Sequence, residues 1–599
     1  MKNNLKTRLM AALLCLLMVF SVSCGTENST TGSTTTNSPN TAGTTLPAST
    51  NSGEEASPTP ENGAEKIVLQ ERNVYFNPNE VIPVAFASYE STPEILMIDT
   101  RQAESMFFDR VLIEFTKYEF EETETTLKIK RNNGAYCILD FVADTVYYND
   151  FDLFYSAHTN AKADILASTY VDSEGNSIYF SRTDSTNISG LPVLIDLASR
   201  DIPLDIYENT KYIPFQTFND LFFTPNAINF LYNTNEIFMA TGASLDPALK
   251  ERYYSVEPAE KSQALADYTY RELCLVLDLF YGLQTEHGVN VGFDVYLEHI
   301  GLADDLRSTD PTKSSTAIAS LMGGYLADVH SQFIMASPYT GSAKIDHSNV
   351  KYAHSFQYAF EFESTILNVR KQVLGENVPG YYEIGNTAYI TLDSFTMSPV
   401  RFNDYSEATG EIGDTLELII RAHREITREN SPIENVVLDL SCNGGGAADA
   451  AVYVVAWMLG YCDLHLTNPV TNNFSTASYK VDVNLDGIFD EKDTVADKNL
   501  YCLISFASFS CGNLVPALLK ESGRVTLLGG TSGGGSCAVM FASAADGTLF
   551  QISSPLCLAT VANGSYYNID RGVDPHVHFS KMESFFKREA LTEYLNGVK

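Results

Sequence analysis

From Tyr381 to the C-terminus, short apolar runs alternate with helix-like segments, and this alternation limits the fold more than any other feature of the chain. Tyr389-Ile-Thr-Leu392 leads to a helical pattern over Glu417–Glu429, then Val436-Val-Leu-Asp-Leu440 and a helix over Ala447–Leu459. Tyr501–Ser505, a helix over Leu514–Glu521, and the runs Val525–Leu528 and Leu549–Ile552 follow. Parallel strands need a crossover long enough to hold a helix, so this order predicts an α/β domain with a largely parallel sheet.

Two strand-to-helix junctions in this domain carry chemistry. Ser510 lies in Phe506-Ala-Ser-Phe-Ser-Cys-Gly-Asn513, where a strand turns into a helix. A hydroxyl at a helix N-terminus faces free backbone N–H groups and the positive end of the helix dipole, which favour a developing oxyanion. Val436-Val-Leu-Asp-Leu-Ser-Cys-Asn-Gly-Gly-Gly446 runs from a buried strand into three glycines, which permit close approach of the backbone to a ligand. By itself this segment is either an oxyanion loop or a tight turn. The glycine-dense Leu527-Leu-Gly-Gly-Thr-Ser-Gly-Gly-Gly535 follows Ser510.

Tyr382–Phe395, Val437–Gly446, Ser508–Asn513 and Gly529–Gly535 occur in an order that resembles the core of the C-terminal processing/tricorn group of serine peptidases, over roughly Asp246 to Phe579. The resemblance implies a crotonase/Clp-protease-like α/β peptidase core. It places Ser510 on the nucleophile and the N–H groups of Cys511 and of the Gly444, Gly445, Gly446 loop at the oxyanion. In the C-terminal processing branch a lysine in the glycine-rich segment is the base, but Gly535 holds that place and no lysine lies between Lys520 and Lys581. The tricorn-like branch uses an upstream histidine in a Leu-x-Asp-x-His-Ser context, matched by Leu326-Ala-Asp-Val-His-Ser331. The resemblance thus implies His330 as general base, with Ser331 in the same network and a late carboxylate, Asp570 before Asp574, as third member. A neutral imidazole near pH 7 suits the role; without the resemblance, His330 reads as a helix C-terminal residue. The interval from Ser331 to Tyr381 is too short for a PDZ insertion.

Upstream, helical periodicity over Ala264–Phe280 and Ala317–Asp328 marks a small helical unit. Residues 65–243 alternate β-like runs with turns, as in Thr126–Arg131, Asn132-Asn-Gly-Ala135 and Tyr136–Phe141, a hairpin pattern. Tyr212–Phe222, Ile228–Leu231 and Ile237–Ala240 suggest a helix and a closing hairpin. This β-rich part resembles the N-terminal domain of some copper amine oxidases but lacks a copper-ligand cluster, and reads as an auxiliary domain.

The N-terminus reads as export machinery. Basic residues precede the apolar run Met10–Phe20, too short for a durable span, and Ser21-Val-Ser-Cys24 resembles a bacterial lipobox with Cys24 as the lipidated residue. A polar Ser/Thr-rich tether follows, unable to bury enough apolar surface to order itself. The expected organisation is a signal peptide at 1–23, a tether at 24–64, the β-rich domain at 65–243, a helical unit carrying His330 at 244–335, and the peptidase core at 336–599. One lipid chain and a tether would hold the protein on the outer side of the membrane without spanning it. The net charge of −36 argues against nucleic-acid binding or attachment to an anionic membrane through the protein surface.

Asp482-Val-Asn-Leu-Asp-Gly-Ile-Phe-Asp-Glu-Lys-Asp493 fits a twelve-residue calcium loop of the dockerin/EF-hand type. Its donors are Asp482, Asn484, Asp486, the Ile488 carbonyl, Asp490 and Asp493, and its expected role is structural, with no catalytic metal. The ten cysteines include Cys15 and Cys24, and the others show neither a CxxC pair nor a readable disulfide framework. The leading expectation is a serine peptidase cleaving peptide or protein substrates outside the cell through an acyl-enzyme, Ser510 attacking and His330 as base. The rivals are a non-catalytic peptide- or wall-binding lipoprotein and an esterase using the same nucleophile.

Overall fold

The computed structural model describes residues 66–112, 118–155, 180–188, 192–398, 405 and 409–597. The signal peptide, Cys24 and the tether lie outside them. Among the described residues, no helix is long and apolar enough to cross a membrane.

The site is organised by a six-stranded sheet in the order Tyr381–Ile384, Thr387–Thr391, Asn435–Asp439, Asn499–Ile504, Val525–Gly529 and Val577–His578. The first pair is antiparallel and every later pair is parallel. The strands are added in one direction across the sheet, so right-handed crossovers place the connecting helices on one face. Helices Thr415–Thr427, Ala448–Leu459 and Cys511–Glu521 occupy that face, packed on Ile390, Val436, Leu438, Cys502 and Leu527. Successive strand residues point to opposite faces, so Tyr389, Val437, Leu503 and Leu528 look the other way. They meet Ile366 of helix His354–Leu374, Phe585 and Phe586, and Leu591 and Leu595 of helix Arg588–Gly597.

Beyond Asp449 in its first turn, Ala448–Leu459 is apolar on every face because it is covered on all sides. A second, antiparallel sheet lies beyond it, in the order Gln332–Met335, Leu549–Ala562, Cys462–Asn468, Asn473–Val481 and Phe180–Ile188. Strands Cys537–Ser543 and Ser565–Asn568 also pair with Leu549–Ala562. The α/β expectation therefore holds for the core, and the strand run read as Leu549–Ile552 is much longer, the shared partner of four strands in an antiparallel sheet the local pattern did not reveal.

The N-terminal part carries a seven-stranded sheet and a five-stranded sheet. The hairpin at Thr126–Arg131 and Tyr136–Asp140 forms as expected, and so does the helix Phe215–Phe222 with the antiparallel strands Ile228–Tyr232 and Ile237–Thr241. Its interior is aromatic, with Phe107 touching Phe76, Phe215, Phe218, Phe223 and Phe230. The same apolar cluster continues through helix Gln263–Phe280 to Phe550 and Ile552. Asn229 Nδ2 donates to the Phe541 carbonyl at 2.9 Å and Gln216 Nε2 to the Ser543 carbonyl at 3.0 Å. One core thus crosses the boundaries read at 243 and 335.

Candidate active site

Ser510 stands between strand Asn499–Ile504 and helix Cys511–Glu521 with φ 57° and ψ −122°. A non-glycine residue at positive φ costs roughly 1–3 kcal/mol and persists only where its surroundings over-determine it. They do so here. Ser508 Oγ donates to the Leu440 carbonyl at 2.7 Å and Ser505 Oγ to the Ser441 carbonyl at 2.6 Å. Phe509 N–H donates to the Asn443 carbonyl at 3.0 Å and Ser510 N–H to the Gly534 carbonyl at 2.9 Å. Both flanking glycine segments therefore brace the turn, and the Ser510 side chain stays half-buried and accessible.

The loop after strand Asn435–Asp439 lies against Ser510, with Gly445 at φ +115°. Two of its N–H groups are used: Gly444 donates to the Asp393 carbonyl at 3.3 Å and Gly445 to Asn443 Oδ1 at 2.8 Å. The N–H groups of Gly444 and Gly445, expected at the oxyanion, are here bonded to neighbouring backbone and side-chain oxygens, and among the described residues no hydrogen bond occupies the Gly446 N–H. Cys511 N–H is the first of its helix, and among the described residues no hydrogen bond occupies it. The open donor lies at the positive end of the helix dipole, beside the hydroxyl.

A cleft opens beside this turn, lined by Phe509, Gly444, Asp328, Asp570, His287 and Phe360 among others. Asp570 Oδ1 accepts the Ser536 N–H at 3.1 Å, and Oδ2 lies 3.5 Å from His287 Nε2. His287 Nδ1 is 2.5 Å from the Leu326 carbonyl. An oxygen acceptor at each ring nitrogen favours the doubly protonated ring. Burial works against that charge, but the Asp570 hydrogen bond, the charges of Asp328 and Asp570 and the Leu326 carbonyl outweigh it and raise the His287 pKa. Burial likewise opposes ionisation of Asp570, but His287 and the Ser536 N–H prevail and hold its carboxyl below the usual value. No sequence signal points to His287, which sits in the turn after helix Gln263–Phe280 with no motif around it. Asp574 lies elsewhere, accepting from Thr531 Oγ1 at 2.7 Å.

The segment Leu326–Ser331 is a tight turn. Ala327 has φ 54°, and Asp328 accepts from His330 N–H at 3.0 Å, Ser331 Oγ at 2.7 Å and Ser553 Oγ at 2.6 Å. Ser331 is thus fixed to Asp328. The His330 ring packs against the Phe509 ring, with centroids 4.7 Å apart. His330 Nδ1 is buried without a partner, and burial lowers the ring's pKa. Among the described residues, no hydrogen bond joins either ring nitrogen to Ser510 Oγ.

In the loop Asp482–Asp493, the donor oxygens turn to the backbone. Asp482 accepts from Leu485 N–H at 2.7 Å and Gly487 N–H at 2.9 Å, and Asp493 accepts from Val483, Asn484 and Asp490 N–H. Asn484, Asp486 and Asp490 each accept from the residue two positions on, and the Ile488 side chain is exposed. Among the described residues, no group of three or more His, Cys, Asp or Glu side chains is gathered to hold a metal. The calcium set of Asp482, Asn484, Asp486, Ile488, Asp490 and Asp493 is therefore not gathered as a preformed cage.

Residues 386–579 match peptidase family S41. A protein of Chlamydia pneumoniae is 32% identical over 113 residues, which are 17% of this chain and 16% of that protein's length. Among solved structures, the photosystem II D1 C-terminal processing protease is 19% identical, over 32% of this chain and 42% of its own, with a TM-score of 0.25. The tricorn protease is 16% identical, over 41% of this chain and 20% of its own, with a TM-score of 0.22. The chain therefore spans well under two thirds of each of these proteins.

The family match corrects one expectation. Peptidases of this kind characteristically use a Ser–Lys dyad, so the reading of Ser510 with His330 as general base does not stand. The unpartnered, desolvated His330 ring fits that correction. Among the described residues no lysine lines the cleft, and Gly535 is part of its lining, with Phe509 within 2.5 Å of where a Cβ would be. Residues 386–579 are homologous to the peptidases of family S41, and over that segment the chain carries a serine-type peptidase domain, a hydrolase.

Proposed function

We propose that the whole chain acts as a serine-type peptidase on peptide or protein substrates, with Ser510 as nucleophile. The observation that carries this reading is the strained Ser510 backbone, braced by two glycine segments and set beside the open Cys511 N–H. When Ser510 Oγ adds to a substrate carbonyl carbon, negative charge develops on the carbonyl oxygen. A preorganised N–H at a helix N-terminus stabilises that charge more than it stabilises the neutral carbonyl. Gly444 and Gly445 would form the opposite wall, and the His287–Asp570 pair would fix the floor of the cleft. Asp570 is a positioning residue in this reading, and Ser331, bonded to Asp328, shapes the turn.

The crotonase/Clp-protease-like description of the core is supported by the one-directional parallel sheet with Ser510 at a helix N-terminus. Lipidation at Cys24, a tether to residue 64 and a place on the outer side of the membrane are proposed from the sequence alone. Structural calcium at Asp482–Asp493 is proposed from the order of its oxygen donors. The function is tested by labelling the protein with a fluorophosphonate and mapping the adduct. It is expected on the peptide containing Ser510; an adduct confined to another serine, or none, would overturn the assignment.

A further inference from the structure

Cys537 and Cys557 lie directly opposite one another on the antiparallel strands Cys537–Ser543 and Leu549–Ala562. Their sulfurs are 3.3 Å apart, and both residues are buried. Opposed residues in antiparallel strands have Cα atoms about 4.5–5.5 Å apart, within the span a disulfide bridges without moving the backbone. Cysteine spacing alone gives no hint of the pair, because the two strands are brought together only by the second sheet.

The position is mechanically significant. Cys537 directly follows the segment 529–536, whose Gly534 carbonyl accepts the Ser510 N–H at 2.9 Å and whose Ser536 N–H donates to Asp570 at 3.1 Å. Cys557 Sγ lies 3.6 Å from the Gly282 carbonyl, in the turn that leads to His287. A covalent link here would join the glycine segment to the sheet beneath the cleft, next to the connection that carries His287.

We propose that Cys537 and Cys557 form a cross-strand disulfide when the chain folds in the presence of a disulfide oxidant, and that this bond pins the glycine segment under Ser510. One cysteine thiolate attacks an oxidant sulfur and expels its partner as a thiol. The second cysteine thiolate then attacks the mixed disulfide, forming the Cys537–Cys557 bond and releasing a second thiol. Two electrons and the two thiol protons pass to the oxidant, which is reduced to two thiols. Burial holds the Cys537 thiol well above its ordinary pKa. Thiolate is therefore scarce once the sheet has closed, and the bond forms during folding and exchanges slowly afterwards.

The test folds the full chain with oxidised glutathione or under tris(2-carboxyethyl)phosphine, then alkylates free thiols in denaturant and maps peptides without reduction. The oxidised sample is expected to show two fewer alkylated thiols, with Cys537 and Cys557 in one linked peptide. It is also expected to melt several degrees higher and to exchange the amides of residues 529–536 more slowly. Full alkylation of both cysteines in the oxidised sample, or their linkage to other partners, overturns the proposal. A correctly linked sample with unchanged melting and exchange overturns the pinning role. Cys537→Ser with Cys557→Ser should melt identically in both conditions, and the wild-type peptide map decides the matter should that variant not fold. None of these readouts depends on Ser510 being the nucleophile.

Discussion

Gly445 lies so close to Ser510 that a Cβ on residue 445 would stand 2.7 Å from Ser510 Cβ and 3.1 Å from its Oγ. The position also has φ +115°, a conformation that L side chains rarely adopt. Gly445→Ala should therefore displace the hydroxyl. Displacements of about 1 Å at a reacting group cost on the order of a hundredfold in rate. Fluorophosphonate labelling is expected to slow by about that factor; labelling at the wild-type rate would show that the contact does not position Ser510.

Arg588 anchors the C-terminal helix by pairing with Asp439, with both side chains almost fully buried. Asp439 also accepts the Ser441 N–H at 2.9 Å, at the start of the glycine loop. Removing one partner leaves a buried charge uncompensated, which costs about 3–5 kcal/mol. Arg588→Ala should lose about that much stability in urea unfolding, and a loss below about 1 kcal/mol would contradict the anchoring role.

The His287–Asp570 pair makes stability depend on pH in a defined direction. His287 has a raised pKa, so its contribution is complete below the ordinary histidine value of about 6.5 and fades as pH rises through the folded value. Asp570 has a lowered pKa, so its contribution is present above the ordinary aspartate value of about 3.9 and fades as pH falls through the folded value. The melting-temperature gap between wild type and His287→Gln should be widest between about pH 4 and 6.5 and should narrow by about pH 9. A gap that stays constant across that range would show that the ring is held neutral.

Calcium is separable from catalysis. If Asp482–Asp493 binds it, a ligand at about a hundred times its dissociation constant adds about 2.7 kcal/mol, a rise of some degrees in Tm. Chelator-treated wild type should show that rise on adding calcium, and Asp482→Ala should not. A wild type indifferent to calcium removes the site.

What was legible in the sequence follows from how local each signal is. Val436–Leu440 and Ala447–Leu459 are buried on every side, so their apolar runs announce a sheet and its helices. Ser510 was legible because a strand–turn–helix junction followed by glycines is written in one stretch of chain. Helix His354–Leu374 was not, since Phe356, Tyr358, Phe360 and Phe362 alternate with a strand-like period and Ile366 is its one fully buried residue. His287 and the Cys537–Cys557 contact are products of tertiary packing, joining residues far apart in sequence, and no spacing rule reaches them. Leu326–Ser331 misled in a specific way: its Asp328 carboxylate builds the turn, and the match in residue types did not require His330 to bond with Ser510.

The central claim is that Ser510 is the nucleophile, and the most direct measurement compares peptide turnover by wild type and Ser510→Ala over a mixed peptide substrate, with melting curves to confirm that both are folded. Wild type is expected to cleave, and folded Ser510→Ala to lose activity by at least about a thousandfold, as removal of a nucleophile does in serine peptidases. Equal turnover by the two proteins would contradict the account.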